Sequence, residues 1–535
     1  MITTNKIKNN KVLSIGLLAI LTVGLAACTD HYDSLNTPDN SIVADNIDGP
    51  QLGQTFAHAQ YFGMMAASYF RCQTQISNLW TQYFSQTPGY FESDQLIDPG
   101  VWNNDCWNPF YSGPASSLDF VENFTEENSM TLENAVAKVW RVNIYHRFTD
   151  YYGPIPYSEY GSGETSVAYD SQEEIYLDFF ETLDEAVAVF DQNPGGSAFA
   201  ADDQIFGGDT DQWRTFANSL RLRLAMRISY VEPDLAEAEA AKALDAGVIL
   251  DNSENVTMTT SVNNRNWLTI WTYIDEFRMS ATSQSIFTGF EDPRLSEYFS
   301  EAVDGGGYKG FRNGLPGSAK GNFLNTENSF VDEKWYTLPN GGANPPNRIM
   351  DAAEVYFLRA EGALNGWAMG GTPEELYNEG IRMSISDRTD ASSAEIEAYI
   401  VSTNTPAAVD DDYNTPPVSD IPIQYQAGAD FETQQEQIIT QKWIALYPDG
   451  WEAWSERRRT GYPRGYAVIN SLNPDIAEDE LIRRRTFTSD ERSNNGAAVQ
   501  AAEALLNGPD EMTTRLWWDA KPLTAYPDLS STIVD

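Results

Sequence analysis

Apolar residues recur at helical spacing in two batches along this chain, with a stretch between them where that spacing is lost. Val136, Trp140, Ile144 and Phe148 step by four and lay a slanted apolar stripe on one helix face. Tyr176, Phe180, Leu183, Val187 and Phe190 form a second stripe, and Ser171-Gln172-Glu173-Glu174 ahead of it spells a capping box. Trp213, Phe216, Ala217, Leu220, Leu224 and Ile228 form the strongest stripe. A shorter helix over about 234–246 ends at Gly247, placed to accept the positive φ of a helix terminus. Helices return at 350–367, with Ala353, Phe357, Ala360 and Leu364 on one face. Another starts at Thr372-Pro373-Glu374-Glu375, and more fall at about 393–403, 434–447, 451–458 and 496–507. An amphipathic helix cannot bury its stripe alone, so these helices must stack in neighbouring pairs. No clean 34-residue repeat accompanies that rhythm.

The polar stretches complete the layout. A helix is expected around 51–72. Over 80–112, Trp80, Tyr83, Phe84, Tyr90, Phe91, Trp102, Trp107, Phe110 and Tyr111 lie among Asn, Asp, Gly and Pro, which predicts aromatic-bearing loops. From about 250 to 345, Thr, Ser, Asn and Gly dominate and predict loops with short strands. Residues 404–430 are rich in Pro and Asp and read as another loop.

The first residues carry an address. Lys6, Lys8 and Lys11 precede an apolar run from Val12 to Ala27, shorter than the ~20 residues a spanning helix needs. Leu25-Ala26-Ala27-Cys28 then matches a bacterial lipobox, in which the Cys28 thiol is acylated and becomes the first residue of the mature chain. Several acyl chains on one residue suffice for stable membrane attachment. The expected organisation is therefore a signal peptide over 1–27, a polar tether over 28–50 and one domain over 51–535 with a loop-rich insert at about 250–345. Cys72 and Cys106 would then meet an oxidising space. Pairing and two buried free thiols stand as equal alternatives, since Cα separation is invisible in sequence.

Composition excludes several function classes. With 34 basic and 78 acidic residues the net charge is −44, so the surface repels phosphate backbones and nucleic acid is not an expected ligand. Three His and three Cys leave no zinc framework, and no cofactor is expected. No G-x-S-x-G, H-E-x-x-H or phosphate-loop pattern occurs. His146 lies within a helix among aromatics and reads as structural. Asp202, Asp203, Asp209 and Asp211 surround Gly207-Gly208. Asp203, Asp209 and Asp211 are a weak Ca²⁺ candidate, but capping of the following helix explains Asp209 and Asp211 as well and is preferred. Arg457-Arg458-Arg459 and Arg483-Arg484-Arg485 stand out in so acidic a chain. They are read as internal partners of acids such as Glu452 and Glu456 in preference to an anion site.

Several segments together resemble one family, the SusD/RagB-like nutrient-binding outer-membrane lipoproteins, and its SusD-like 2 subgroup in particular. They are Tyr151-Tyr152-Gly153-Pro154-Ile155-Pro156-Tyr157, Gly207-Gly208-Asp209 with Trp213 and Phe216 to Arg223, Asp292-Pro293-Arg294, Ala353 to Glu361, Glu452-Ala453-Trp454 through Pro463, and Leu516-Trp517-Trp518-Asp519. The resemblance implies a mostly α fold in which tetratricopeptide-like helix pairs support an irregular ligand-binding side. It implies a SusC-like TonB-dependent outer-membrane transporter as partner, a lipid-anchored place on the cell surface, and no catalysis. Its ligands are oligosaccharides in many members and peptides in some; a surface-anchored helical polysaccharide-degrading enzyme is the other alternative.

No binding residue follows from the family motifs, so the candidate site rests on exclusion. Rings on periodic helices have stripe partners, whereas rings in polar loops are free to stack on sugars. The expected contacts are Trp80, Tyr90, Trp102, Trp107, Trp267 and Tyr308, with Asn103, Asn104, Asn266 and Arg312 as polar partners.

Overall fold

The computed structural model describes residues 49–64, 70–164, 166–261, 264–266, 268, 276–320, 326–335 and 345–522. The expected signal, tether and Cys28 lie outside them, as does Trp267. By its contacts the chain divides into Met1–Leu52 and Gly53–Asp535, and nearly all described residues belong to the second unit.

The fold is mostly helical, as the stripes predict. Among the described residues, the α-helices of eight or more residues are α1 Gly49–Gly63, α2 Gly100–Phe110, α3 Ser116–Glu127, α4 Thr131–Tyr152, α5 Gln172–Gln192, α6 Thr210–Arg227 and α7 Pro233–Ala246. They continue with α8 Ala281–Gly289, α9 Ala352–Leu364, α10 Pro373–Arg388, α11 Ser393–Ile400, α12 Phe431–Leu446, α13 Gly450–Thr460 and α14 Gly496–Glu503. Consecutive helices pack as tetratricopeptide-like pairs: α4 with α5, α6 with α7, α9 with α10. Further contacts of α5 with α6 and of α9 with α12 join one pair to the next. The capping boxes form at Ser171/Glu174 and Thr372/Glu375, and Gly247 ends α7 at φ +96°.

Strand content is small. β1 Phe84–Gln86 pairs antiparallel with β3 Phe277–Met279, and β2 Val256–Met258 with β4 Asn347–Met350. The irregular stretch from 250 to 345 thus contributes short strands, but it also contains α8, which its Ser/Thr-rich sequence hides.

Two expectations about 51–112 are corrected. The first helix ends at Gly63, and Phe70–Ser77 forms a separate π turn. Residues 100–110 are a helix, where loops were expected. Asn103, Cys106, Trp107 and Phe110 are its buried positions, an i, i+3, i+4, i+7 set. Because an amide and a thiol occupy two of the four places, a count of apolar residues misses the stripe.

The core is aromatic and charged at once. Trp107, Trp140, Trp213, Trp443, Trp454 and Trp518 are fully buried, and so are Arg221, Arg223, Arg227 and Arg294. Arg227 on α6 reaches Asp150 on α4 and Glu452 and Glu456 on α13. Arg459 pairs with Glu361 of α9 and with Glu456. Arg223 forks onto Glu354, both bonds at 2.7 Å. A buried charge without a partner is costly, so these pairs, apart from Arg459–Glu456 within α13, tie one helix to a specific neighbour. The arginine runs are internal, as read from sequence, and of the two acids named there Glu456 pairs with Arg459 whereas Glu452 does not serve the runs. Glu452 serves Arg227; Arg483, Arg484 and Arg485 pair with Asp519, Asp510 and Asp98.

Candidate functional site

The π turn Phe70–Ser77 and α2 are covalently joined. Cys72 and Cys106 form a disulfide with Cα atoms 5.5 Å apart, and both residues are fully buried. The turn carries Arg71, Gln73 and Gln75, while α2 carries Trp102 and Asp105. Arg71 and Asp105 form an ion pair above the disulfide.

The loop between β1 and α2 supplies rings beside this junction. Tyr90 is 72% exposed, and its ring meets Phe91 edge-on at 4.6 Å between centroids. Phe91 in turn meets Trp102 at 5.0 Å, so three rings form a ladder from solvent down to α2. Two devices hold the loop. Gly89 crosses Gly317 so closely that a Cβ on Gly89 would lie 2.9 Å from the Gly317 Cα. Asp94 makes a buried 2.8 Å ion pair with Lys320.

Polar groups stand behind the ladder. The Gln75 amide donates to Glu276 Oε2 at 3.2 Å, and the exposed Tyr90 hydroxyl is hydrogen-bonded to the same carboxyl. Glu276 is only 6% exposed, and burial pushes its carboxyl up to about 7 against those two bonds. On the other side of the π turn, Gln73 faces a cavity of about 30 Å³ lined also by Arg147, Asn266, Trp335, Arg348 and Asp449. Its floor is the Arg147–Asp449 pair.

The sequence-derived residues divide between this site and the core. Tyr90 and Trp102 meet in the ladder. Trp80 is buried, donates its indole N–H to the Ser93 carbonyl at 3.1 Å and packs on Trp454. Trp107 is buried against Phe148 and Tyr152. Asn103 is buried, donating to the Thr486 carbonyl at 2.8 Å and accepting from the Tyr152 hydroxyl. Asn104 bonds Ser489 and Asp490. Arg312 is 1% exposed, donates to the Ala467 carbonyl and lies over the Tyr466 ring. Trp80, Trp107, Asn103 and Arg312 are therefore scaffold, because α13 packs on Trp80, α4 covers Trp107 and Asn103, and the 466–467 segment covers Arg312. Asn266 borders the Gln73 cavity, its amide donating to the Pro345 and Pro346 carbonyls. Tyr308 is half-exposed beside the Gly305–Gly307 turn and does not join the ladder. Sequence reasoning missed Gln75, Glu276 and Gly89, since nothing local marks a glutamine, a glutamate or a glycine as belonging to a distant ring cluster.

The acidic candidates are structural. Asp209 caps α6 by accepting from the Asp211 and Gln212 amides. Asp203 accepts from Gln60, Ile205, Gly208 and the Trp213 indole, and Asp211 accepts from the Gly195 amide. Among the described residues no group of three or more His, Cys, Asp or Glu is placed to hold a metal ion.

The model of the Susd and RagB outer membrane lipoproteins matches residues 35–519. The chain belongs to the SusD-like family. A chitin-binding SusD homologue from Flavobacterium johnsoniae is 34% identical, with a TM-score of 0.80 over 88% of this chain and 99% of that one. A SusD homologue from Bacteroides thetaiotaomicron is 31% identical, with a TM-score of 0.79 over 89% and 100% of the two chains. A second SusD-like protein of that organism is 30% identical, with a TM-score of 0.79 over 90% and 100%. No curated protein matches. The SusD-like family is one of nutrient-binding outer-membrane lipoproteins, and no described helix of this member is long and apolar enough to cross a membrane.

Proposed function

We propose that this SusD-like protein captures oligosaccharides at the cell surface and delivers them to a SusC-like TonB-dependent transporter, anchored through acyl chains on Cys28. The observation that carries the reading is the Tyr90–Phe91–Trp102 ladder standing over Gln75 and Glu276. A sugar ring offers an apolar face for stacking and hydroxyls for amide and carboxyl partners, and this surface supplies both within one junction. The chitin-binding homologue supports a glycan over a peptide. Peptide capture by strand addition relies on exposed backbone edges, which the ring ladder does not provide. Binding without catalysis follows the family.

The test is titration of purified protein with chito-oligosaccharides and a panel of other glycans, comparing wild type with Trp102→Ala and Tyr90→Ala. Loss of a stacked ring lowers affinity about tenfold, roughly 1.4 kcal/mol. Wild-type binding to peptides alone, or affinity unchanged in both variants, would refute the site. Pull-down of a large β-barrel protein in mild detergent tests the partner, and membrane fractionation of Cys28→Ala tests the anchor.

A further inference from the structure

Arg457 differs from its neighbours in the Arg457-Arg458-Arg459 run. Arg459 has Glu361 and Glu456. Arg458 donates to the Asp150 and Arg483 carbonyls and lies flat over Trp454. Arg457 is 2% exposed and has a single hydrogen bond, from Nη1 to the Trp80 carbonyl at 2.9 Å. Its Nε and Nη2 meet no acceptor among the described residues. Among the described residues no carboxylate forms an ion pair with it, and the charge that acts on it is another cation, Arg483. Two donors and a full positive charge thus stand buried and uncompensated, an arrangement that costs several kcal/mol unless something completes it.

That guanidinium lines a cavity of about 30 Å³ walled by Trp80, Trp454, Gln82, Asn313 and Tyr466. The volume exceeds what one water requires and suits one monatomic anion, but not a polyatomic ligand with its own hydration. Gly465 keeps the place open, since a Cβ there would overlap Nη2. The acids nearby do not fill the role. Asp94 is committed to Lys320, and Glu478 and Glu480 line the mouth without reaching ion-pair distance.

We propose that Arg457 binds a small monatomic anion of the halide class in this cavity. The anion accepts from Nε and Nη2 and neutralises the buried charge. It thereby steadies the Trp80 carbonyl at the start of the segment that leads into β1 and the ring ladder. This proposal does not depend on the glycan reading.

The probes are chloride and bromide, compared with gluconate at constant ionic strength. In halide the wild-type chain should melt about 1–3 °C higher. Arg457→Met should lose that difference while Arg71→Met, which removes an exposed guanidinium, keeps it. Crystals grown in bromide should show an anomalous peak against Arg457 Nε and Nη2. An anomalous map empty at Arg457 with an ordered water in its place, or a melting temperature indifferent to halide, would overturn the proposal. The wild-type measurements decide the matter even if Arg457→Met fails to fold.

Discussion

Arg147 grips Asp449 with both terminal nitrogens, Nη1 at 2.7 Å and Nη2 at 2.8 Å, across 302 residues of chain. Asp449 is also the N-cap of α13, accepting from the Trp451 and Glu452 amides, and it accepts from Gln73 of the π turn. Trp451 returns a bond from its indole to the Arg147 carbonyl and stacks on Tyr151. One carboxylate thus holds together α4, α13 and the turn that carries the candidate site. Removing either partner leaves a largely buried charge alone. We expect Arg147→Met and Asp449→Ala each to lower stability by about 3 kcal/mol or more, read from denaturant unfolding.

The Cys72–Cys106 disulfide closes a loop of sequence separation 34. Such a cross-link restricts the unfolded chain and is worth about 3–4 kcal/mol. The double variant Cys72→Ser/Cys106→Ser should unfold at correspondingly lower denaturant. If it remains folded, its glycan affinity should also fall, because Trp102 and Gln75 are no longer held in one geometry. A denaturation midpoint equal to wild type would contradict the stabilising role.

Glu276 predicts a pH dependence with a definite sign. Its carboxyl moves from 4.5 to about 7 on folding, first because it is buried. Between those values the folded chain holds a proton that the unfolded chain has released, so stability from this group falls as pH rises through that interval. Glu276→Gln should flatten the decline in melting temperature between pH 4.5 and 7. A steeper decline in the variant would show that other groups dominate.

Tyr90 and Trp107 should behave oppositely, though both are rings from the same stretch of sequence. Tyr90→Ala removes a ring that is 72% exposed and should change stability by no more than about 0.5 kcal/mol while weakening ligand binding. Trp107→Ala empties a place against Phe148 and Tyr152 and should cost about 3–5 kcal/mol. Melting temperature and glycan affinity, measured on both variants, separate the two roles.

The helical half of the fold is legible because its signal is local. Trp213, Phe216, Leu220 and Leu224 mark α6 by spacing alone, and Ser171 with Glu174 marks the start of α5. The Leu25-Ala26-Ala27-Cys28 string that is read as a lipobox and the family motifs are likewise contiguous strings. What the string cannot carry is the choice among chemically similar residues. Trp80, Trp102 and Trp107 sit in one polar stretch, and only the packing of α13 onto Trp80 and of α4 onto Trp107 turns those two inward. The Asn103–Phe110 stripe of α2 escaped because Asn103 and Cys106 hold buried places that the distant Thr486, Tyr152 and Cys72 satisfy. The same holds for the charges. The arginine runs announce internal pairing, yet whether a given guanidinium meets Glu361, a carbonyl or a cavity depends on contacts tens to hundreds of residues away. Spacing along the chain decides which elements form, whereas burial and charge compensation, which are properties of the assembled core, decide which of their side chains are left to face a ligand.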